Sequence, residues 1–287
     1  MVREGVRFEP LRLTNGTFDW SRGYIAGVLN VTPDSFSDGG EFNSVDAALR
    51  QGEALAAAGA DIIDVGGEST RPNAEPVSAA EEIDRVCPVI EALRARVDVA
   101  ISIDTTKAVV AGAAVNVGAE IVNDVSGGLF DLDMVRTVAA LDAAYVCSHL
   151  RGTSIQETHA RESAPPTFDE VVNELRQRVD SLPESLRRRT IADPGIGFGK
   201  PPQLNVELLR RVDEIVARVG RPVMVGPSRK RFLGALTGES TDHRDAATVG
   251  AALASFAGGA QLVRVHSVEV LKSALLVFEA IRIGVRE

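Results

Sequence analysis

Eight short apolar runs recur along the chain, and each is followed by a longer stretch in which apolar positions fall three and four apart. The runs are YIAGVLN (24–30), DIIDVGG (61–67), VAISIDT (99–105), EIVNDVSG (120–127), AYVCSHL (144–150), TIADPG (190–195), PVMVGPS (222–228) and QLVRVHS (261–267). The stretches of helical period are 46–60, 78–96, 108–119, 133–143, 168–183, 204–219, 243–260 and 268–284. Continuous apolar runs are what strands covered on both faces require, and parallel strands are joined through crossover helices. Eight strand–helix units in about 260 residues is the arithmetic of a single closed (β/α)8 barrel of the TIM type. A doubly wound open sheet is the alternative. Ahead of the first unit, RFEPLRLTNGTFDW (7–20) reads as two short strands about an Asn-Gly turn. Residues 1–23 are therefore expected to form an N-terminal β-hairpin capping the barrel's bottom, and residues 24–287 the α/β barrel itself.

The 287 residues are 45% hydrophobic and 25% charged, an ordinary composition for a packed α/β domain. A net charge of -9 and a pI near 5.1 argue against a broad surface for nucleic acid or anionic membrane. Any anionic ligand must then be held by a few placed groups. The longest apolar stretches, such as VGAALASFAGGA (249–260), are too short to span a bilayer, and MVREGVRFEP lacks a signal-peptide core, so a cytoplasmic location is expected. Cys87 and Cys147 match no metal spacing and are expected to be buried free thiols.

Most strand candidates start apolar and end polar. In chain order the ends offer Asn30, Glu68 just beyond the second run, Asp104, Asn123 with Asp124, Ser148 with His149, Asp193, Ser228 with Arg229 and Lys230, and Arg264 with His266. Any one of these could simply cap a turn. So many at the same end are expected to converge on the mouth where a barrel builds its site. The stretch IADPGIGFGK (191–200) is neither of the common nucleotide loops. Pro194 and Pro201 stand where a phosphate loop needs Gly and a hydroxyl, and Gly195, Gly197 and Gly199 are spaced G-x-G-x-G. LNVTPDSFSDGG (29–40) reads as a mobile loop that closes over a ligand. In GGESTRPNAEPVS (66–78), Arg71 stands beside two hydroxyls, a combination suited to phosphate. GPSRKRFLG (226–234) follows the seventh strand, where barrels often hold phosphate, and makes Ser228 a candidate substrate contact. Asp104, Asn123 and Asp193 could read the amino-pyrimidinone edge of a flat heterocycle, or hold a divalent cation. The basic tips favour the heterocycle, with a ring at the centre of the mouth and a phosphate tail toward its rim.

In order and spacing, GVLNVTPDSFSDGG, DVGGESTRP, IDTTK, IVNDVSG, ADPGIGFGK, GPSRKRFLG and RVH resemble the motifs of the dihydropteroate synthases of folate biosynthesis, over nearly the whole chain from Gly23 onward. The resemblance implies a (β/α)8 barrel, commonly a homodimer, that joins 6-hydroxymethyl-7,8-dihydropterin pyrophosphate to p-aminobenzoate and releases pyrophosphate with the help of Mg²⁺. Carried over by motif, it implies a pterin pocket at Asp104, Asn123, Asp193 and Lys230, and a p-aminobenzoate site at Thr70, Pro72 and Phe198. It places pyrophosphate among Asn30, Arg71, Arg264 and His266, with Asn30 also the protein ligand of Mg²⁺. Early C–O cleavage, a delocalised pterin cation captured by the aniline nitrogen, and competition by sulfonamides are implied too, with Asp104, Asp193, Lys230 and Arg264 as the groups that act on the reacting molecule.

Four places depart from the family pattern. Arg231 stands where a serine is frequent, Ser267 where an acid is usual, and Leu150 where a Met often packs on the pterin. The stretch from Phe168 to Asp193 is several residues shorter than typical, so a short fifth helix is expected. A pterin-binding protein without synthase activity and a methyltransferase of the same barrel superfamily are the rival readings, and the basic cluster argues against both.

Overall fold

The structure is a computed structural model that describes residues 7–32, 41–70, 74–160 and 165–284. Residues 33–40 of the first βα-loop, and Arg71 and Pro72 of the second, lie outside the described residues. An antiparallel pair, β1 (Leu11–Leu13) and β2 (Gly16–Phe18), precedes eight parallel strands: β3 (Tyr24–Asn30), β4 (Ile62–Gly66), β5 (Ala100–Asp104), β6 (Ile121–Asp124), β7 (Ala144–Ser148), β8 (Thr190–Asp193), β9 (Met224–Val225) and β10 (Leu262–Val265). The helices are α1 (Glu41–Ala57), α2 (Ala79–Arg94), α3 (Ala108–Asn116), α4 (Met134–Ala140), α5 (Ile155–Ala160), α6 (Phe168–Ser181), α7 (Glu184–Arg187), α8 (Pro202–Arg210), α9 (Val212–Val219), α10 (Arg231–Thr237), α11 (Asp245–Ala257) and α12 (Val268–Ile283). The parallel strands run in the order β8-β7-β6-β5-β4-β3-β10-β9. A parallel bridge between Ala192 and Val223, with the Ala192 N–H donating to the Pro222 carbonyl at 2.8 Å, joins the two ends. The sheet is a closed barrel, and the open-sheet alternative falls.

Alternate residues of a strand face opposite sides, which divides each apolar run between two cores. Ile25, Leu29, Ile63, Val65, Ile101 and Ile103 pack outward beneath the helices. Tyr24, Ala26, Ile62, Ala100, Ile121 and Leu262 point to the barrel axis and form a separate apolar cluster near its amino-terminal end. Leu11 and Phe18 of the hairpin join that inner cluster, with Trp20 packed against it. The Glu120 carboxylate accepts the backbone N–H groups of Thr14 and Asn15, fastening the turn. The hairpin thus closes the bottom of the barrel.

Several details differ from the pattern of apolar positions. The expected helix over 204–219 is two, α8 and α9, broken at Arg211, whose guanidinium stacks 3.5 Å from the centre of the Phe168 ring. The fifth helix is not short: α6 has 14 residues and starts with a reciprocal capping box between Thr167 and Glu170. After it comes only the single-turn α7 before β8. β9 keeps just two residues, because Pro222 and Pro227 on either side bring no N–H to a ladder. Cys147 is buried and Cys87 only half-buried; both are free.

Candidate active site

Two residues further along the inward-facing rows of β4, β6 and β10, and four further along that of β5, the axis changes from apolar to polar and charged. Asp64 on β4, Asp104 on β5, Asn123 on β6 and Arg264 on β10 form one network. Arg264 donates from Nε to Asp64 Oδ2 at 2.5 Å and from Nη2 to Asp104 Oδ2 at 2.7 Å. Asn123 Nδ2 donates to the same Asp64 oxygen at 2.9 Å. Asp104 and Asn123 are register partners on adjacent strands. Burial raises the Asp104 carboxyl to about 7 despite the neighbouring Arg264. Arg264 keeps its charge, because Asp64 and Asp104 outweigh the burial that opposes it.

The β8–α8 loop supplies the opposite wall. Asp193 ends β8; its Oδ1 accepts the Gly195 N–H at 2.7 Å, and burial lifts its carboxyl to about 6. Gly195 has φ +69°, and a Cβ there would lie 1.9 Å from the His149 carbonyl oxygen, so only glycine fits. A Cβ on Gly197 would lie 2.8 Å from Lys230 Cδ, so the bare backbone lets the lysine chain lie across the loop. Lys230 Nζ sits 4.1 Å from the centre of the Phe198 ring, and burial, together with Arg264, lowers its ammonium to about 8. Lys200 is buried behind the loop and donates to three carbonyl oxygens, of His149 (3.0 Å), Gly195 (2.8 Å) and Phe198 (3.2 Å). The glycines and this lysine form one device: a tight backbone fold wrapped about an ammonium. The His159 ring lies 6.2 Å from that of Phe198 between centres, and His159 Nε2 is 3.4 Å from the Thr70 carbonyl, which brings Thr70 near Phe198.

At the rim, Ser228 Oγ accepts the His266 backbone N–H at 3.2 Å and lies 2.9 Å from His266 Nδ1. Burial, helped by Arg264 and Arg229, drops the His266 imidazole to about 3, so the ring is neutral at pH 7. Ser267 donates to Asp245 Oδ2 at 2.5 Å, and the same carboxylate pairs with Arg229 at 3.1 Å. The serine therefore stands beside a carboxylate supplied from α11. Asn30 ends β3 in register with Gly66 of β4, and its amide oxygen lies near the position a Gly66 Cβ would take, as does the Asp104 carboxylate.

Other polar tips are occupied by structural work. Asp124 is saturated by Ser126, Gly128 and the Tyr145 hydroxyl. Glu68 lies outside β4 and pairs with Lys107 at 2.8 Å, which also holds the buried Glu82 at 2.6 Å. His149 is buried against Glu174, and burial lowers it to about 3. Leu150 is fully buried, and Arg231 starts α10 with its side chain exposed. Two contributors escape a reading of strand tips, Asp64 and Lys200. Asp64 carries a signal nonetheless: a carboxylate inside an otherwise apolar run, in phase with the inward-facing Ile62.

A barrel whose mouth interleaves buried carboxylates, an amide and buried cations has the groups to bind a polar ring and an anion. The chain belongs to the pterin-binding enzyme family, whose description matches residues 26–266. Within that family it falls among the dihydropteroate synthases, which are transferases. The dihydropteroate synthase of Synechocystis sp. is 42% identical over 284 residues, 95% of each chain. The Xanthomonas albilineans dihydropteroate synthase, solved with 4-aminobenzoic acid, superposes with a TM-score of 0.85 at 39% identity, covering 96% of this chain and 99% of that one. The Yersinia pestis enzyme, solved as a sulfonamide drug complex, gives 0.85 at 35% identity over 96% and 99%.

Proposed function

We infer that this chain condenses 6-hydroxymethyl-7,8-dihydropterin pyrophosphate with p-aminobenzoate to 7,8-dihydropteroate and pyrophosphate. The observation that carries the reading is the convergence of Asp104, Asn123, Asp193, Lys230 and Arg264, from four strands and one helix start, on a single mouth. Asp104, Asn123 and Asp193 would take the N–H groups of the pterin edge. As the C–O bond breaks, positive charge spreads over the ring, and the two carboxylates favour it. Lys230 and Arg264 face the developing charge of the departing pyrophosphate, with the neutral His266 and Ser228 at the rim. The aniline nitrogen of p-aminobenzoate, held between Phe198 and the Thr70 flank, captures the cation with its lone pair, and the resulting anilinium gives its proton to the released pyrophosphate or to water. Positioning and charge stabilisation carry the rate, and no side chain serves as nucleophile. Arg71 and Pro72 keep their roles, in the anion site and the p-aminobenzoate site, on the resemblance alone.

Mg²⁺ suits the donor set. Among the described residues no group of three His, Cys, Asp or Glu side chains forms a dedicated metal cage. Mg²⁺ usually keeps several waters and is bound through one or two carboxylates plus substrate phosphate, so the Asn30 amide would add a single neutral oxygen to a shell supplied mainly by diphosphate and water. When bound it would neutralise charge on the diphosphate.

A homodimer is supported by α12, which exposes Val270, Val277 and Ile281 along one stripe, with Leu276 beside it. No described helix is long and apolar enough to cross a membrane. Sulfonamides would compete at the Phe198 wall; inhibition that p-aminobenzoate does not relieve would count against that. The deciding assay is pyrophosphate release from the pterin pyrophosphate plus p-aminobenzoate with Mg²⁺ present. No release would leave the pterin-binding and methyltransferase readings and remove this one.

A further inference from the structure

We propose that Asp64 is a positioning residue for ring binding, which fixes the polarity of the Asn123 amide and the aim of the Arg264 guanidinium. The inference rests on the pterin reading above and adds a group to it. Asp64 is 2% exposed, one inward-facing step above Ile62 and one below Gly66. Its Oδ2 takes both Asn123 Nδ2 and Arg264 Nε. An ionised carboxylate only accepts hydrogen bonds, so the amide of Asn123 has to turn its NH₂ toward Asp64. Asn123 Oδ1 is then left buried with no donor among the described residues. An orphaned buried acceptor costs stability unless a ligand supplies the missing N–H. Asp64 thereby dictates that the ring read at Asn123 brings a donor to that oxygen, and rings presenting a lone pair there are rejected.

The same carboxylate explains the posture of Arg264. Tethered between Asp64 and Asp104, the guanidinium spends Nε and one Nη2 proton inside the barrel and keeps its remaining N–H groups for a ligand. Asp64 itself lies below the layer of Asp104 and acts through its two partners. Stability alone does not call for it, since a buried ion pair is often replaced by apolar groups without loss.

The test is Asp64→Asn in the full chain. The introduced asparagine can turn its own NH₂ toward Asn123 and let that amide invert. Calorimetry with 6-hydroxymethyl-7,8-dihydropterin pyrophosphate and Mg²⁺ is expected to show Kd raised roughly 10- to 100-fold. The KM for p-aminobenzoate at saturating pterin should stay within about twofold, a split that general loosening of the fold would not give. In the double variant Asp64→Asn/Asn123→Asp the carboxylate moves across the pair and an acceptor again faces the ring, so part of the pterin affinity should return. Two results overturn the inference: an unchanged pterin Kd in Asp64→Asn, or equal losses for both substrates with no recovery in the double variant. A wild-type protein that binds no pterin would instead overturn the pterin reading, and this inference with it.

Discussion

Lys200→Met isolates what holds the loop between β8 and α8. Methionine keeps the length and most of the volume of the lysine stem but removes the ammonium and its three bonds to the carbonyls of His149, Gly195 and Phe198. Each buried carbonyl left without a donor costs about 1 kcal/mol or more, about 3 kcal/mol together. A gain of similar order offsets this because a charge no longer has to be buried, so global stability at pH 7 should change little and the loss should show in the loop's kinetics. The lost bonds fall on the segment that carries Asp193 and Phe198, so both KM values should rise. The pH dependence gives a second readout. Burial lowers Lys200 to about 7 from an ordinary 10.5. Between those values the unfolded chain holds a proton that the folded protein has released, so wild-type stability should rise with pH across that window. The Met variant has no such proton, and its slope there should flatten. Urea unfolding from pH 6.5 to 10 measures both quantities. A variant with the wild-type slope and unchanged KM values would refute the clamp.

Three further outcomes are expected. Because burial raises Asp104 to about 7 and Asp193 to about 6, the ligand-free mouth takes up protons as pH falls through that range; pterin affinity should weaken from pH 8 to 5.5, and a flat profile would contradict the acceptor role. The same two raised values make the free protein hold protons that the unfolded chain has lost, so they lower its stability as pH rises from about 4 to about 7. Gly195→Ala must relieve a contact of 1.9 Å to the His149 carbonyl in a left-handed backbone, and kcat/KM should drop at least about tenfold; wild-type kinetics would show that the loop yields freely. Ser267→Asp sets a carboxylate against Asp245 and should cost about 1–2 kcal/mol in thermal unfolding, restored by adding Asp245→Asn; a neutral Ser267→Asp would remove the account of that departure.

The barrel was legible because strands covered on both faces leave apolar runs, and eight such runs leave one arithmetic. Asp104 and Asp193 were legible because each is the last residue of its strand, and Asn123 and Arg264 because each opens a polar carboxyl-terminal part of its run, with Asp124 and His266 close behind. Asp64 was not, since Val65 and two glycines follow it and no polar group of its run marks the strand end there; the phase of Ile62 and Gly66 would have aimed it inward. Lys200 stayed hidden for another reason. Its partners are backbone carbonyls, one of them 51 residues away, and carbonyls leave no trace in side-chain type. α5 and α10 span only six and seven residues, too few for a helical period to emerge. Asp124, one of the polar ends expected at the mouth, is a brace for the turn that follows it.

The hairpin seal at the amino-terminal end makes the barrel a blind well. With Leu11, Phe18 and Trp20 stoppering the floor, everything that enters has to leave by the way it came. A ring seated deep on the charged layer is trapped while a second molecule lies above it. Sequential traffic would follow from that geometry, the ring entering first and the ring-bearing product leaving last.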